Sequence, residues 1–190
     1  KVAQHLVNLI RAADTHVGTG TFGTALLLPV LTDAGYSDVA YDLLLQNTPP
    51  SWMTMIDRGP TTIWEMWDGV DENGKAHFSL NHFSLGSVIS FMHTHIAGIR
   101  LDRNLPAYRR FRVAPVPGGD LTWVRAHLDS PYGPIESEWT IDGNDRFELQ
   151  VTVPAGTAAD IELPDGRVET AESGRWRFSC NLTETTKAKG

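Results

Sequence analysis

Arg58-Gly59-Pro60-Thr61-Thr62-Ile63-Trp64-Glu65-Met66-Trp67-Asp68-Gly69 sets one carboxylate, Glu65, between two indoles, with Asp68 close behind. Indole rings offer flat apolar faces to the C–H faces of a pyranose. They also thin the water around an acid, which raises its proton affinity and suits it to acid–base work. Further along, Asn81-His82 adds hydrogen-bonding groups. The stretch reads as half of a glycosidase active site. Extended through residues 63–67, it puts Ile63, Glu65 and Trp67 on one face and Trp64 and Met66 on the other. Such a strand is apolar on both faces and buried on both. Glu65 then lies on an enclosed surface, where a carboxylate needs a partner or a task. The competing reading makes the tryptophans core and Glu65 a solvated strand residue.

Composition narrows the function classes. At 190 residues and 41% hydrophobic content, the chain holds one large or two small domains. The net charge is −7 and the Lys and Arg residues are scattered, so no basic stripe exists for nucleic acid. A single cysteine, Cys180, excludes an internal disulfide and a cysteine zinc cluster. The apolar run 25–31 is too short for a membrane-crossing helix. The chain opens inside a helical pattern without an initiator methionine, which predicts a piece of a longer protein; its compartment stays open.

The first hundred residues read as helical. Apolar positions between 2 and 13 follow the helical template. A Gly18–Gly23 loop precedes a second helix through 25–31, capped by Thr21 or Thr24, with Pro29 inside and Gly35 at its end. Ser37 is expected to cap a third helix over 38–46, antiparallel to the second. A fourth is expected over 84–97. Between the third and fourth, residues 47–81 show no convincing helix, and a connection that long in a compact domain is usually functional. From residue 101 onward short alternating runs appear at 108–113, 120–128, 135–141, 146–153, 158–163 and 175–180. Pro117-Gly118-Gly119-Asp120, Ser130-Pro131-Tyr132-Gly133, Asp142-Gly143-Asn144, Pro154-Ala155-Gly156 and Pro164-Asp165-Gly166 separate them. That spacing predicts an antiparallel β-sandwich.

These blocks resemble the C-terminal part of bacterial α-L-rhamnosidases, glycoside hydrolase family 78. The resemblance is carried by Thr19-Gly20-Thr21-Phe22-Gly23-Thr24, Leu31-Thr32-Asp33-Ala34-Gly35, Pro50-Ser51-Trp52 and the 59–69 core. It continues in Asn81-His82-Phe83-Ser84-Leu85-Gly86, Ala97-Gly98-Ile99 and Ser130-Pro131-Tyr132-Gly133-Pro134. The Thr-Thr-Ile-Trp-Glu-Met-Trp-Asp-Gly core is its specific element.

The resemblance implies the last part of an (α/α)6 catalytic toroid over 1–102, a C-terminal β-sandwich over 103–183 and a frayed tail over 184–190. It implies hydrolysis of terminal α-L-rhamnosides with inversion, with no cofactor and no metal. Glu65 matches the family's general base, which activates the attacking water. His82 matches a histidine that contacts rhamnose. Trp64, Trp67, Trp52 and Asp57 fall in the cleft region. The family's general acid lies upstream of the segment represented here. Inversion needs two carboxyls about 6.5–9.5 Å apart, so this chain is expected to carry only half of the chemistry. Its partners would be the glycoside and the upstream catalytic segment, with no nucleic acid and no membrane.

Other residues have plainer readings. His82 also fits a helix cap, and Asp68 before Gly69 fits a turn as well as a support for Glu65. His16 sits before the Thr-Gly loop, where it fits a pocket wall. His93 and His95, two apart on a helix, point in different directions and do not share an ion. Gly18-x-Gly20-x-x-Gly23 follows a helix instead of a strand, which argues against a dinucleotide site. A reading of a different class makes the chain a non-catalytic carbohydrate-binding or structural β-sandwich module, holding sugar on Trp123, Trp139 or Trp176.

Overall fold

The computed structural model describes residues 1–71, 73–102 and 105–182; the expected tail at 184–190 lies outside them. The chain divides into two compact units, Lys1–Phe91 and Met92–Lys189. The first is helical and the second is a curled mixed sheet.

The helical unit opens with α1 (Val2–Ala12), which buries Val7 and Ile10. Next come α2 (Thr21–Asp33) and α3 (Ser37–Leu44), packed together across the short Ala34-Gly35-Tyr36 link. Neither expected threonine caps α2. Gly20 occupies that position, and Thr24 Oγ1 bonds back to the Gly20 carbonyl at 2.9 Å. Ser37 is likewise not a cap. Tyr36 stands there, and Ser37 is buried in the first turn of α3. The long connection contains one helix after all, α4 (Trp52–Asp57). Ser51 caps it, its Oγ accepting the Thr54 N–H at 3.1 Å. Six residues are too few for apolar periodicity to register.

The expected helix over 84–97 is broken. It runs as α5 (Phe83–Gly86), α6 (Val88–Phe91) and a π-helical turn, Met92–Ile96. In that turn the Ala97 N–H reaches the Met92 carbonyl at 2.8 Å, one residue further than an α-helix allows.

Among the described residues the second unit has six strands, β1 (Ile99–Leu101), β2 (Arg110–Val113), β3 (Trp123–Ser130), β4 (Gly133–Ile141), β5 (Arg146–Glu162) and β6 (Val168–Asn181). They form one sheet in the order β1-β2-β5-β4-β3, with β6 on β5. The sheet is mixed, not antiparallel throughout, because β2 runs parallel to β5. The cause lies at Pro154-Ala155-Gly156. This triplet reads as a turn between two strands, yet β5 continues through it with a register shift between Val153 and Ala158. β6 follows one edge of β5 on both sides of the shift. The other edge pairs with β4 before the shift and with β2 after it. A bulge bends its strand, and here it lets β5 serve two partners along one edge. The Asp165-Gly166 turn joins β5 to β6 as expected, with Gly166 at φ +88°.

Alternation in the strands builds the core from Phe111, Ile135, Trp139, Phe147, Leu149 and Ile161, all buried. Polar side chains that enter that core are satisfied. Trp139 Nε1 donates to the Ile96 carbonyl at 2.8 Å, and Ser137 Oγ donates to the Ala97 carbonyl at 2.7 Å. Gly98 lies beside them at φ +81°, where an added Cβ would come within 2.3 Å of Pro115 N; no other residue type fits. Of the tryptophans weighed as a sugar platform, Trp139 is core. Trp176 is tied by its Nε1 to the Glu172 carbonyl, and Trp123 stands exposed. They do not line up as an aromatic stripe.

The parallel β2–β5 contact carries an ion pair. Arg110 donates through Nε to Asp160 Oδ2 at 2.9 Å and through Nη2 to Oδ1. The guanidinium holds the Asp160 carboxyl below the usual carboxylate range. A carboxyl depressed by folding adds stability above its unfolded pKa and loses it as pH falls through the folded one. The urea midpoints of wild type and Asp160→Asn should therefore differ most at about pH 6 and draw together as the pH falls below about 4. A gap that does not change with pH would contradict this role for the pair.

Candidate functional site

Of the residues singled out by sequence, Trp52 and Asp57 lie in α4, while Trp64, Glu65, Trp67, Asp68 and His82 lie on the chain between α4 and α5. This segment is not a strand. Residues 63–65 form one arm, a turn over 66–69 folds back, a small hairpin follows, and residues 79–82 return as the second arm. Two main-chain bonds join the arms, Glu65 N–H to Ser79 O and His82 N–H to Ile63 O, each 2.9 Å. Thr62 Oγ1 adds a bond to the Leu80 carbonyl at 2.6 Å.

Beneath the arms is a small apolar cluster of Met55, Trp64 and Leu85, with Ile63, Trp67, Val70 and Leu80 packed against it. Trp64 is therefore a core side chain, and its backbone N–H points at Met55 Sδ. The turn lies tight on it. Gly69 donates to the Met66 carbonyl at 3.1 Å, and a Cβ at Gly69 would stand 2.9 Å from Trp64 Cβ. This explains Gly69 after Asp68, and it explains why the alternation over 63–67 does not produce a strand. The chain must turn at Asp68-Gly69 before extended pairing can form.

Glu65 is consequently half-buried rather than enclosed. Its Oε2 accepts the Ser79 N–H at 3.2 Å, while Oε1 has no hydrogen-bond partner among the described residues. His82, also half-buried, caps α5 through Nδ1, which accepts the Ser84 N–H at 3.2 Å. In the neutral ring an accepting Nδ1 leaves the proton on Nε2. The cap thus prepares Nε2–H as a donor, and the structural and chemical readings of His82 are compatible. Phe83 stacks on the imidazole, ring centroids 4.8 Å apart.

The remaining candidates divide by depth. Trp67 is half-buried and meets Trp52 edge-on at 5.0 Å. Trp52 is buried, and its Nε1 donates to the Leu85 carbonyl at 3.0 Å, so it ties α4 to α5. Asp57 is exposed at the end of α4, and no hydrogen bond or ion pair joins it to Glu65 or His82. Its neighbour Arg58 donates to the Val70 carbonyl and steadies the loop. His16 lies apart from this cluster, bonded to Thr48 Oγ1 at 2.8 Å.

Two participants carried no sequence signal. Ser79 looked like any polar loop residue. Asp71 organises the small hairpin by accepting the Asn73 and Lys75 N–H groups, each at 2.9 Å, and pairing with His77 at 3.0 Å. His77 first, then those amides, hold the Asp71 carboxyl below the usual range. Among the described residues no group of three or more His, Cys, Asp or Glu side chains is placed to hold a metal.

Comparison with known proteins identifies the family. The model of the bacterial alpha-L-rhamnosidase 6 hairpin glycosidase domain matches residues 1–96, and that of the bacterial alpha-L-rhamnosidase C-terminal domain matches 98–177. An alpha-L-rhamnosidase of Streptomyces avermitilis is 44% identical over 166 residues, which is 85% of this chain and 16% of that protein. A crystal structure of a Streptomyces avermitilis alpha-L-rhamnosidase complexed with L-rhamnose superposes with a TM-score of 0.85 at 39% identity, covering 94% of this chain and 19% of that one. The native enzyme of Aspergillus terreus gives a TM-score of 0.87 at 37% identity, covering 93% and 21%. The chain spans less than a quarter of the length of each of these relatives. It belongs to the bacterial α-L-rhamnosidase family.

The Trp52–Leu85 bond yields a test of how the site is supported. Trp52→Phe removes the Nε1 donor together with part of the indole, so it takes that donor from a buried carbonyl and leaves a small gap in the packing. It should lower stability by about 1–3 kcal/mol in urea unfolding; an unchanged midpoint would mean that the bond does not hold α4 to α5.

Proposed function

We propose that, as a member of this family, the chain supplies the general base of an inverting α-L-rhamnosidase that hydrolyses terminal α-L-rhamnosides. The observation that carries this is the state of Glu65. One carboxylate oxygen is held by a backbone N–H, and the other has no hydrogen-bond partner among the described residues. A general base needs that division, with one atom anchored for aim and one lone pair open to water.

The rest of the site serves the same reading. His82 presents Nε2–H to a sugar hydroxyl while Nδ1 caps α5. Trp67 offers a ring edge or face to the pyranose, Trp52 and Trp64 form the packed floor below, and Asp57 stands at the rim. Water attacks the anomeric carbon on the face opposite the leaving oxygen as Glu65 takes its proton. A second carboxylic acid protonates the leaving oxygen. That acid belongs to an upstream segment of a longer protein, and so do the helices that would complete an (α/α)6 toroid around α1–α6. The helical hairpin of α2 and α3 fits a toroid assembled from six such hairpins. The chain by itself is then inactive, because it lacks the acid.

The test is Glu65→Gln in the full-length enzyme. Loss of a general base removes a transition-state interaction and leaves most ground-state contacts in place. Turnover should fall by about a thousandfold while free L-rhamnose still binds by calorimetry. Near-normal turnover would end the assignment.

A further inference from the structure

We propose that Ser79 is a positioning residue for Glu65, an inference that rests on the general-base reading above. In the hydrogen-bonded pairs of a regular antiparallel ladder, the two facing residues exchange two main-chain bonds. Here Glu65 and Ser79 exchange only one. Glu65 N–H donates to Ser79 O at 2.9 Å, but the return bond from Ser79 N–H goes to the side chain, Oε2, at 3.2 Å. The direction of that single N–H therefore sets the orientation of the carboxylate.

Two features of the return arm fix the direction. Phe78, just before Ser79, has φ +61°, a left-handed backbone that is unusual for a bulky aromatic and marks a conformation imposed by its surroundings. Just after it, the Ser79 hydroxyl closes a turn onto Asn81. Oγ donates to Asn81 O at 3.0 Å and accepts the Asn81 N–H at 3.2 Å. A side-chain clamp of this kind substitutes for regular backbone pairing. It leaves the Ser79 N–H free of the ladder and aimed at Glu65. His82 N–H then rejoins the partner arm at Ile63. The hydroxyl bonds to Asn81 and not to the carboxylate; it acts through its own backbone amide.

Ser79 is exposed, so removing its hydroxyl opens no cavity and spares the apolar cluster below. The consequence is confined to aim. A base displaced by about 1 Å from the attacking water loses up to about a hundredfold in rate, while sugar contacts made by other residues are unaffected. The effect should therefore appear in kcat and not in KM.

The experiment compares Ser79→Ala, Ser79→Thr and Glu65→Gln in the full-length enzyme with a nitrophenyl α-L-rhamnoside. Ser79→Ala is expected to lower kcat by about tenfold or more, with KM, the affinity for free L-rhamnose and Tm near wild type. Ser79→Thr, which keeps the hydroxyl, should recover most of that loss. If Glu65→Gln is inactive and Ser79→Ala turns over normally, the base stands and the positioning role is overturned. If Ser79→Ala loses kcat and Ser79→Thr does not recover it, the hydroxyl clamp is again not the cause. If Glu65→Gln itself keeps near-normal turnover, the general-base reading fails first and takes this inference with it.

Discussion

The pairing of two short arms, residues 63–65 and 79–82, is the constraint on which the site depends. Two main-chain bonds hold them, and everything chemical is placed from there. One arm ends in Glu65 and the other in His82. The turn between them is forced back onto Trp64 by Gly69, which has no Cβ to keep it away. The apolar side chains of the arms enter the cluster of Met55, Trp64 and Leu85, and the polar ones are left at its surface. A loop of this length would be costly to order by backbone alone. Here the ordering rests on a hydrophobic floor and a few side-chain clamps, among them Asp71 to His77 and Ser79 to Asn81.

The same economy of means appears in the second unit. One bulge in β5 decides that the sheet is mixed. Without it, β5 would present one uniform edge to one partner; with it, β4 and β2 share that edge in sequence. Arg110 and Asp160 then fasten the parallel partner, and buried polar groups on Ser137 and Trp139 are satisfied by the carbonyls of Ala97 and Ile96. The fold is thus assembled from local exceptions to regular geometry, each matched by a specific bond.

Those exceptions also mark where sequence reading succeeded and where it stopped. The positions of α1 to α3 and most strand positions in the second unit followed from apolar periodicity, because burial on one face leaves a clear trace. The β3–β4 and β5–β6 turns were legible from Pro131-Tyr132 and Asp165-Gly166. Pro154-Ala155-Gly156 was not, since the same residue types serve a turn and a bulge and only the partner strand distinguishes them. The π-helical turn at 92–96 left no mark, because a single shifted bond barely changes the apolar pattern. At the site, the residue types around Glu65 pointed to sugar chemistry, yet their alternation suggested a strand that Asp68-Gly69 does not permit. The depth of Trp52 and Trp64, the capping bond of His82 and the clamp at Ser79 depend on contacts between segments far apart in sequence. No local pattern encodes them.

In the proposed mechanism Glu65 acts through water and not by direct attack on the sugar, and the stereochemistry of the first product distinguishes these routes. The decisive measurement is the anomeric proton signal during the first minutes of hydrolysis of an α-L-rhamnoside by the full-length enzyme, before mutarotation mixes the anomers. A general base that activates water predicts β-L-rhamnose as the initial product. Initial α-L-rhamnose would contradict it, requiring a covalent glycosyl-enzyme and a carboxylate that serves as nucleophile.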